Sequence, residues 1–385
     1  MLRWIVVLGL ALAPAAAAAA RRAPVPGTDL VLTLDRGGQL WVGRGNVRAR
    51  VSVDTDLPLD LPYPDFFLEV AATSTPPAVT VRLEASCLGW QTRAIAPARL
   101  EALLENAAAE ALFRAKRWDE AAAGFTRARA RDPALLEAST NLAAAQARGG
   151  HAPQAIATLA AAAARDPIWA TWRLAADPDL ASLAAAPALA ELHGTPAGAP
   201  PRALDGRQVA FSPGRGLYAW RRSLVNGMCD EDDCRTDQLW IADAATATVR
   251  ARLDYGRGRA GAAAIGRTLD ALGFTVRAPI RRLGGNDGAD PDQSSAVAFR
   301  EQGLTVSLAG SVARLTRDKQ VIAQVRFDKP KGTEVPNADT SWTDPWAALI
   351  PGAVVVGAGV AIAEGCGAFE YDEVRLLLLP PAAPR

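Results

Sequence analysis

Two stretches decide the reading of this chain: Ala121-Ala-Ala-Gly-Phe-Thr-Arg-Ala-Arg-Ala-Arg-Asp-Pro133 and Ala155-Ile-Ala-Thr-Leu-Ala-Ala-Ala-Ala-Ala-Arg-Asp-Pro167. They stand 34 residues apart and carry the same punctuation. Shifting by 34 superimposes Ala109 on Ala143, Ala121 on Ala155, Phe125 on Leu159, Ala128 on Ala162, Asp132 on Asp166 and Pro133 on Pro167. Apolar residues recur at helical spacing, and each unit reads as two amphipathic helices with small residues where they cross. Proline lacks an N–H and disfavours helix before it, so each Asp-Pro ends a second helix. Units 102–135 and 136–169, with a helix or cap from Ala170 to Leu192, fill the Ala-, Leu-, Arg- and Glu-rich region 98–193.

The series small Ala, Ala, large apolar, Ala, Pro in a 34-residue register resembles the tetratricopeptide repeat family. The departures are Ala108, where a large apolar residue is usual, and Leu112 and Gln146 in place of the usual aromatic of the first helix. The resemblance implies a groove, lined by the first helix of each unit, that takes a peptide or a protein partner. Carried over to this chain, its groove residues are Asn106, Glu110, Arg114, Asn141 and Arg148. Asn amides suit a peptide backbone, and Arg suits a carboxylate bidentately. The competing reading is of ordinary solvated helix residues. Asp177-Pro-Asp-Leu180 reads as the turn that closes the array.

On both sides the period changes from helix to strand, giving a multidomain α+β chain. After a short linker, residues 28–96 read as a small β-rich domain. Val47, Ala49, Val51 and Val53 alternate with polar residues, and the run from Val79 to Cys87 repeats the pattern. Between them Leu57-Pro-Leu-Asp-Leu-Pro-Tyr-Pro64 reads as loop or edge, because its prolines remove ladder donors. Residues 194–204 form a Pro/Gly linker, and 205–385 read as a β-rich C-terminal domain. Its first four short strands, up to Leu253, weakly resemble one β-propeller blade; as a single blade they read as a meander in a larger sheet. Further strands are expected at 304–308, at 321–327 after a turn at Asp318-Lys319, at 353–363 and at 374–379. Trp342 and Trp346 read as core.

Residues 1–20 read as a secretory signal peptide: Arg3, then an apolar run from Trp4 to Leu12, Pro14, and small residues up to Ala20. The alternative is an uncleaved anchor over Trp4 to Ala20, which is at the short limit for a span; cleavage leaves no transmembrane segment, since no later run reaches 18 apolar residues. A periplasmic or extracellular location follows. Export favours disulfides. Cys229 and Cys234, in Cys-Asp-Glu-Asp-Asp-Cys, read as a disulfide-pinned turn rather than a metal loop, because the acids lack the Gly and distal Glu of a calcium hand. Cys87 and Cys366 either pair or stay separate.

Composition narrows the function. Half of the 385 residues are hydrophobic and 22% are charged, enough for a sizeable core. A net charge of +1 gives no global reason to bind nucleic acid. Two histidines, His151 and His193, rule out most His-dependent hydrolase and zinc constellations. Gly256-Arg-Gly-Arg-Ala-Gly261 has dinucleotide-loop spacing, but the strand after it has no acid at its end to hold a ribose. It therefore reads as a glycine-rich exit from a hairpin. No catalytic residue, metal site or cofactor is expected. The leading expectation is an exported interaction or scaffold protein. The alternative is an envelope hydrolase or carbohydrate-binding protein with its site in 205–385.

Overall fold

The structure, a computed structural model, describes residues 22–34, 40–51, 66–74, 77–85, 89–193, 204, 208–225, 235–254, 259–283, 295–327, 339–364 and 367–379. The expected leader, the Pro-rich stretch 57–64 and all four cysteines, Cys229 and Cys234 among them, lie outside these residues. Helices and antiparallel sheets alternate along the chain, a mixed α+β architecture. Among the described residues no helix is long and apolar enough to cross a membrane.

The N-terminal part holds two antiparallel sheets. β1 (Arg22–Pro24), β2 (Val31–Leu34), β3 (Leu40–Arg44) and β4 (Val47–Arg50) pair in sequence order, as do β5 (Phe66–Ser74), β6 (Pro77–Ala85) and β7 (Gly89–Ile95). The alternation seen in the sequence becomes burial: Ala49 and Val51 are buried while Arg48 and Arg50 point to solvent. Leu32, Leu40, Val42, Val79 and Val81 share one core with Leu100, Leu103 and Leu104 of the first helix. The sheets and the helical segment are therefore packed as one body of apolar side chains.

That segment comprises α1 (Pro97–Arg114), α2 (Trp118–Arg131), α3 (Leu136–Arg148), α4 (Ala152–Arg165) and α5 (Pro167–Ala176). A 3-10 turn (Pro178–Leu183) and a short α6 (Ala190–His193) follow. Proline sits in the first turn of α1, α4 and α5, where its missing N–H has no partner to lose. α2 and α4 stop at the residue before Asp-Pro, and Asp166 then caps α5 by accepting from Trp169 N at 2.9 Å. The repeated positions Ala109, Ala121, Phe125, Ala128, Ala143, Ala155, Leu159 and Ala162 are all buried. Small side chains there let the helices approach: a methyl added to Gly124 would lie 2.7 Å from the Ala109 Cβ. The α1–α2 and α3–α4 turns use matching residues, Lys116 and Gly150, both with positive φ.

The C-terminal part is a stack. β8 (Gln208–Ser212), β9 (Leu217–Val225), β10 (Arg235–Asp243) and β11 (Val249–Asp254) form a meander. α7 (Arg259–Ala271) then crosses back, and β12 (Val276–Pro279) pairs antiparallel with β8 on the far side. The sheet is antiparallel throughout, so the strands flanking the glycine-rich segment build no parallel dinucleotide crevice. β13 (Arg281–Arg282) begins the next sheet, but the chain first makes a separate one from β14 (Ser295–Phe299), β15 (Leu304–Ala309), β16 (Val312–Arg317) and β17 (Gln320–Arg326). It returns as β18 (Asp339–Ile350), β19 (Ala353–Glu364) and β20 (Gly367–Leu378), giving the order β13-β18-β19-β20. Asp318 and Lys319, with φ of 51° and 67°, make the two-residue turn between β16 and β17.

Strand alternation sorts these side chains into layers. Ala210, Ala219, Leu239 and Ile241 face α7 and Ile168 of α5. Val209, Tyr218, Trp220 and Trp240 face Trp346, Ala348, Val355 and Leu376 of the middle sheet. The other face of that sheet, with Ala347, Val354, Val356 and Leu377, packs on Val306, Leu315 and Phe327 of the outer sheet. Burial on both faces explains the uninterrupted apolar run at 353–358. Trp346 lies across from Gly357, against its bare Cα.

Candidate functional site

α3 packs between α1 and α5, and one polar strip crosses all three. Asn106 of α1 is buried at 4% exposure, and its Nδ2 donates to Glu110 Oε1 at 2.8 Å. Asn141 of α3 donates through Nδ2 to Asn106 Oδ1 at 3.2 Å and to Glu110 Oε1 at 3.3 Å. Arg173 of α5 donates to Asn141 Oδ1 at 3.0 Å and to Asp177 Oδ2 at 2.7 Å. At the opposite end Arg114 donates to Glu110 Oε2 at 3.1 Å, and its side chain is 76% exposed. Asn106 and Asn141 stand 35 residues apart in sequence and are neighbours only because the units stack.

Burial raises the Glu110 carboxyl above the ordinary range, and the nearby Glu137 carboxylate adds to the effect. Arg114 and the Asn106 amide oppose the shift without cancelling it. The carboxylate is thus fixed by two amides on one oxygen and by a surface guanidinium on the other.

Four of the five residues expected to line a groove, Asn106, Glu110, Arg114 and Asn141, come together in this strip. Arg148 does not join it. Its Nε and Nη2 both donate to Asp179 Oδ1, at 2.8 and 2.5 Å, and so tie the end of α3 to the closing 3-10 turn. The Asn106 and Asn141 amides, read from the family resemblance as holders of a peptide backbone, are engaged with one another and with Glu110 and Arg173. Arg173 and Asp177 are members that the sequence reading omits. Their signal is present: Asp177 caps the 3-10 turn by accepting from Asp179 N at 2.9 Å, within the Asp-Pro-Asp motif already noted.

Elsewhere among the described residues the chemistry is sparse. His151 is exposed in the α3–α4 turn, with Nε2 3.0 Å from Asp119 Oδ1. Among the described residues no group of three or more His, Cys, Asp or Glu side chains is placed to hold a metal ion. In the C-terminal part, a recess beside β13 and β14 is lined by Arg281, Phe299, Arg300, Glu301 and Gln302, and among the described residues Glu301 is its one carboxylate. Arg281 lies over the Phe299 ring at 5.2 Å and donates to Ala298 O at 3.1 Å.

Comparison with known proteins adds no relative: no family model, no curated protein and no solved structure matches the chain.

Proposed function

We propose that the chain is an exported, non-enzymatic interaction protein whose helical array, similar to tetratricopeptide repeats, holds a peptide or a partner segment along the strip on α1, α3 and α5. The observation that carries this reading is the fixed chain of hydrogen bonds from Arg114 through Glu110, Asn106 and Asn141 to Arg173. Such a surface loses little side-chain freedom on binding, which lowers the entropic cost of association. The buried amides set the shape, and a partner meets the exposed Arg114 and the half-buried Glu110 and Glu137. Flanking sheets that share cores with α1 and α5 hold the array at both ends.

The test is affinity capture from the native envelope with the full chain. Deleting 98–193 would strip apolar cover from both flanking parts, so point variants are the proper tool. Arg114→Glu reverses a charge on the strip. Arg165→Glu does so on α4, where the guanidinium donates to Pro133 O. A partner lost only with Arg114→Glu supports the reading. A partner kept by both variants, or lost equally from both, refutes it.

A further inference from the structure

A cavity of about 420 Å³ lies between the C-terminal end of α5, the 3-10 turn, α6 and α7. That volume suits a small organic ligand, and junctions between packed units are common places for one. The greater part of its wall is hydrocarbon: Leu174 and Leu192, with Pro178, Ala181 and Ala184. Leu174 and Leu192 belong to the core of the array and are buried, whereas Ala181 and Ala184 are exposed at the opening.

Among the described residues two charged side chains line the cavity, Asp177 and Arg267, and they are not equivalent. Both Asp177 oxygens are occupied, Oδ2 by Arg173 at 2.7 Å and Oδ1 by Asp179 N at 2.9 Å. Arg267 reaches over from α7 and donates through Nε and Nη2 to Ala175 O, at 3.1 and 2.6 Å. These two bonds fix the guanidinium plane and satisfy a carbonyl in the last turn of α5, whose open end would otherwise attract a cation. Among the described residues nothing accepts from Nη1. The uncommitted charge at the cavity is therefore positive and held in place, beside a wall of aliphatic carbon.

We propose that this cavity binds a small aliphatic carboxylate, with its chain against Leu174 and Leu192 and its anionic end on Arg267 Nη1. A purely polar anion would leave the hydrocarbon wall wet, and a cation would meet the guanidinium. The inference rests on the cavity alone and stands apart from the partner-binding role of the strip. A bound chain would touch α5 and α7 together, bridging the array and the C-terminal sheets.

The test uses the full chain with octanoate and its neutral isostere octanamide, measured by titration calorimetry and by saturation-transfer NMR. Octanoate should bind about tenfold more tightly than octanamide, the margin of one charge-assisted hydrogen bond. Arg267→Gln should bring octanoate down to the octanamide level and leave octanamide unchanged. Ala181→Phe, at an exposed position, should fill the opening and weaken both, with far-UV circular dichroism unaltered. No binding of octanoate to the wild-type chain, equal affinity for the two probes, or undiminished binding to Ala181→Phe would each overturn the proposal.

Discussion

Gly357 sits in the middle of β19 opposite Trp346, and replacing it with Ala gives the sharpest test of the layered C-terminal part. A Cβ built there would lie 2.2 Å from Cε2 and Cζ2 of the indole and 2.6 Å from Nε1. Carbon atoms settle at about 3.5–4.0 Å, so the shortfall is roughly 1.3 Å. Gly357 is not among the residues with positive φ, so alanine suits the backbone and the collision is the only penalty. Trp346 is 8% exposed, with Val355 and Leu376 in its own sheet and Tyr218 and Trp220 in the next, so it cannot swing aside freely. Overpacking of this kind costs about 1–3 kcal/mol, and a rigid ring between two sheets places the value near the upper end. Trp346→Leu alone leaves a cavity and costs roughly 2–4 kcal/mol. In the double variant the new methyl enters the vacated space, so the combined loss should fall short of the sum by about 1–3 kcal/mol. Urea unfolding followed by far-UV circular dichroism measures all three, with a change of midpoint at constant slope as the readout. A Gly357→Ala chain within about 0.5 kcal/mol of wild type, or strict additivity in the double variant, would show that β18 and β19 do not pair in this register.

Four further outcomes are expected. Ala155 is fully buried where α4 meets its neighbours, so Ala155→Leu should lower stability by about 1–3 kcal/mol by urea midpoint. Lys116→Gly should gain about 0.5–1 kcal/mol, because Lys116 holds a positive φ that glycine adopts freely, and Gly150→Ala at the matching turn should lose a similar amount. Asp166→Ala removes the α5 cap and should cost about 1 kcal/mol in thermal unfolding. Glu110 holds its proton more tightly in the folded chain than in the unfolded one. Its contribution therefore favours folding at low pH, is lost as pH rises from the unfolded carboxyl value through the raised folded one, and stays lost at neutral pH. Glu110→Gln should flatten that part of the stability profile, and an unchanged slope in pH-dependent urea titrations would refute the assignment.

The helical segment was legible because its constraint is local. A helix crossing excludes bulk, so Ala121, Ala155, Ala128 and Ala162 repeat in sequence, and all are buried. The turn at Asp318-Lys319 was legible for the same reason, since two residues decide it. The strip was half legible. Asn106, Glu110, Arg114 and Asn141 came from the repeat register, but the bond between Asn106 and Asn141, and the role of Arg173, depend on how far one unit rotates on the next. Arg148 shows the limit: its position in the register pointed to the groove, whereas the turn that closes the array supplies a carboxylate within reach. The order of layers in the C-terminal part was not legible. The apolar run at 353–358 signals burial on two faces without saying which sheets provide it. The β13–β18 pair joins Arg281 to Ala347 across an entire intervening sheet.

That pairing makes β14 to β17 a closed excursion: the chain leaves from β13 and comes back beside it as β18. The two ends of the excursion are therefore neighbours, with Leu283 N donating to Pro345 O at 2.6 Å. Chemically it is no ornament. It is the cover over Ala347, Val354, Val356 and Leu377, and a chain shortened at this point would present a broad aliphatic face to water. A lineage that discarded the excursion would need to repopulate that face with polar residues at alternate positions of β18, β19 and β20, or recruit another surface to lie against it.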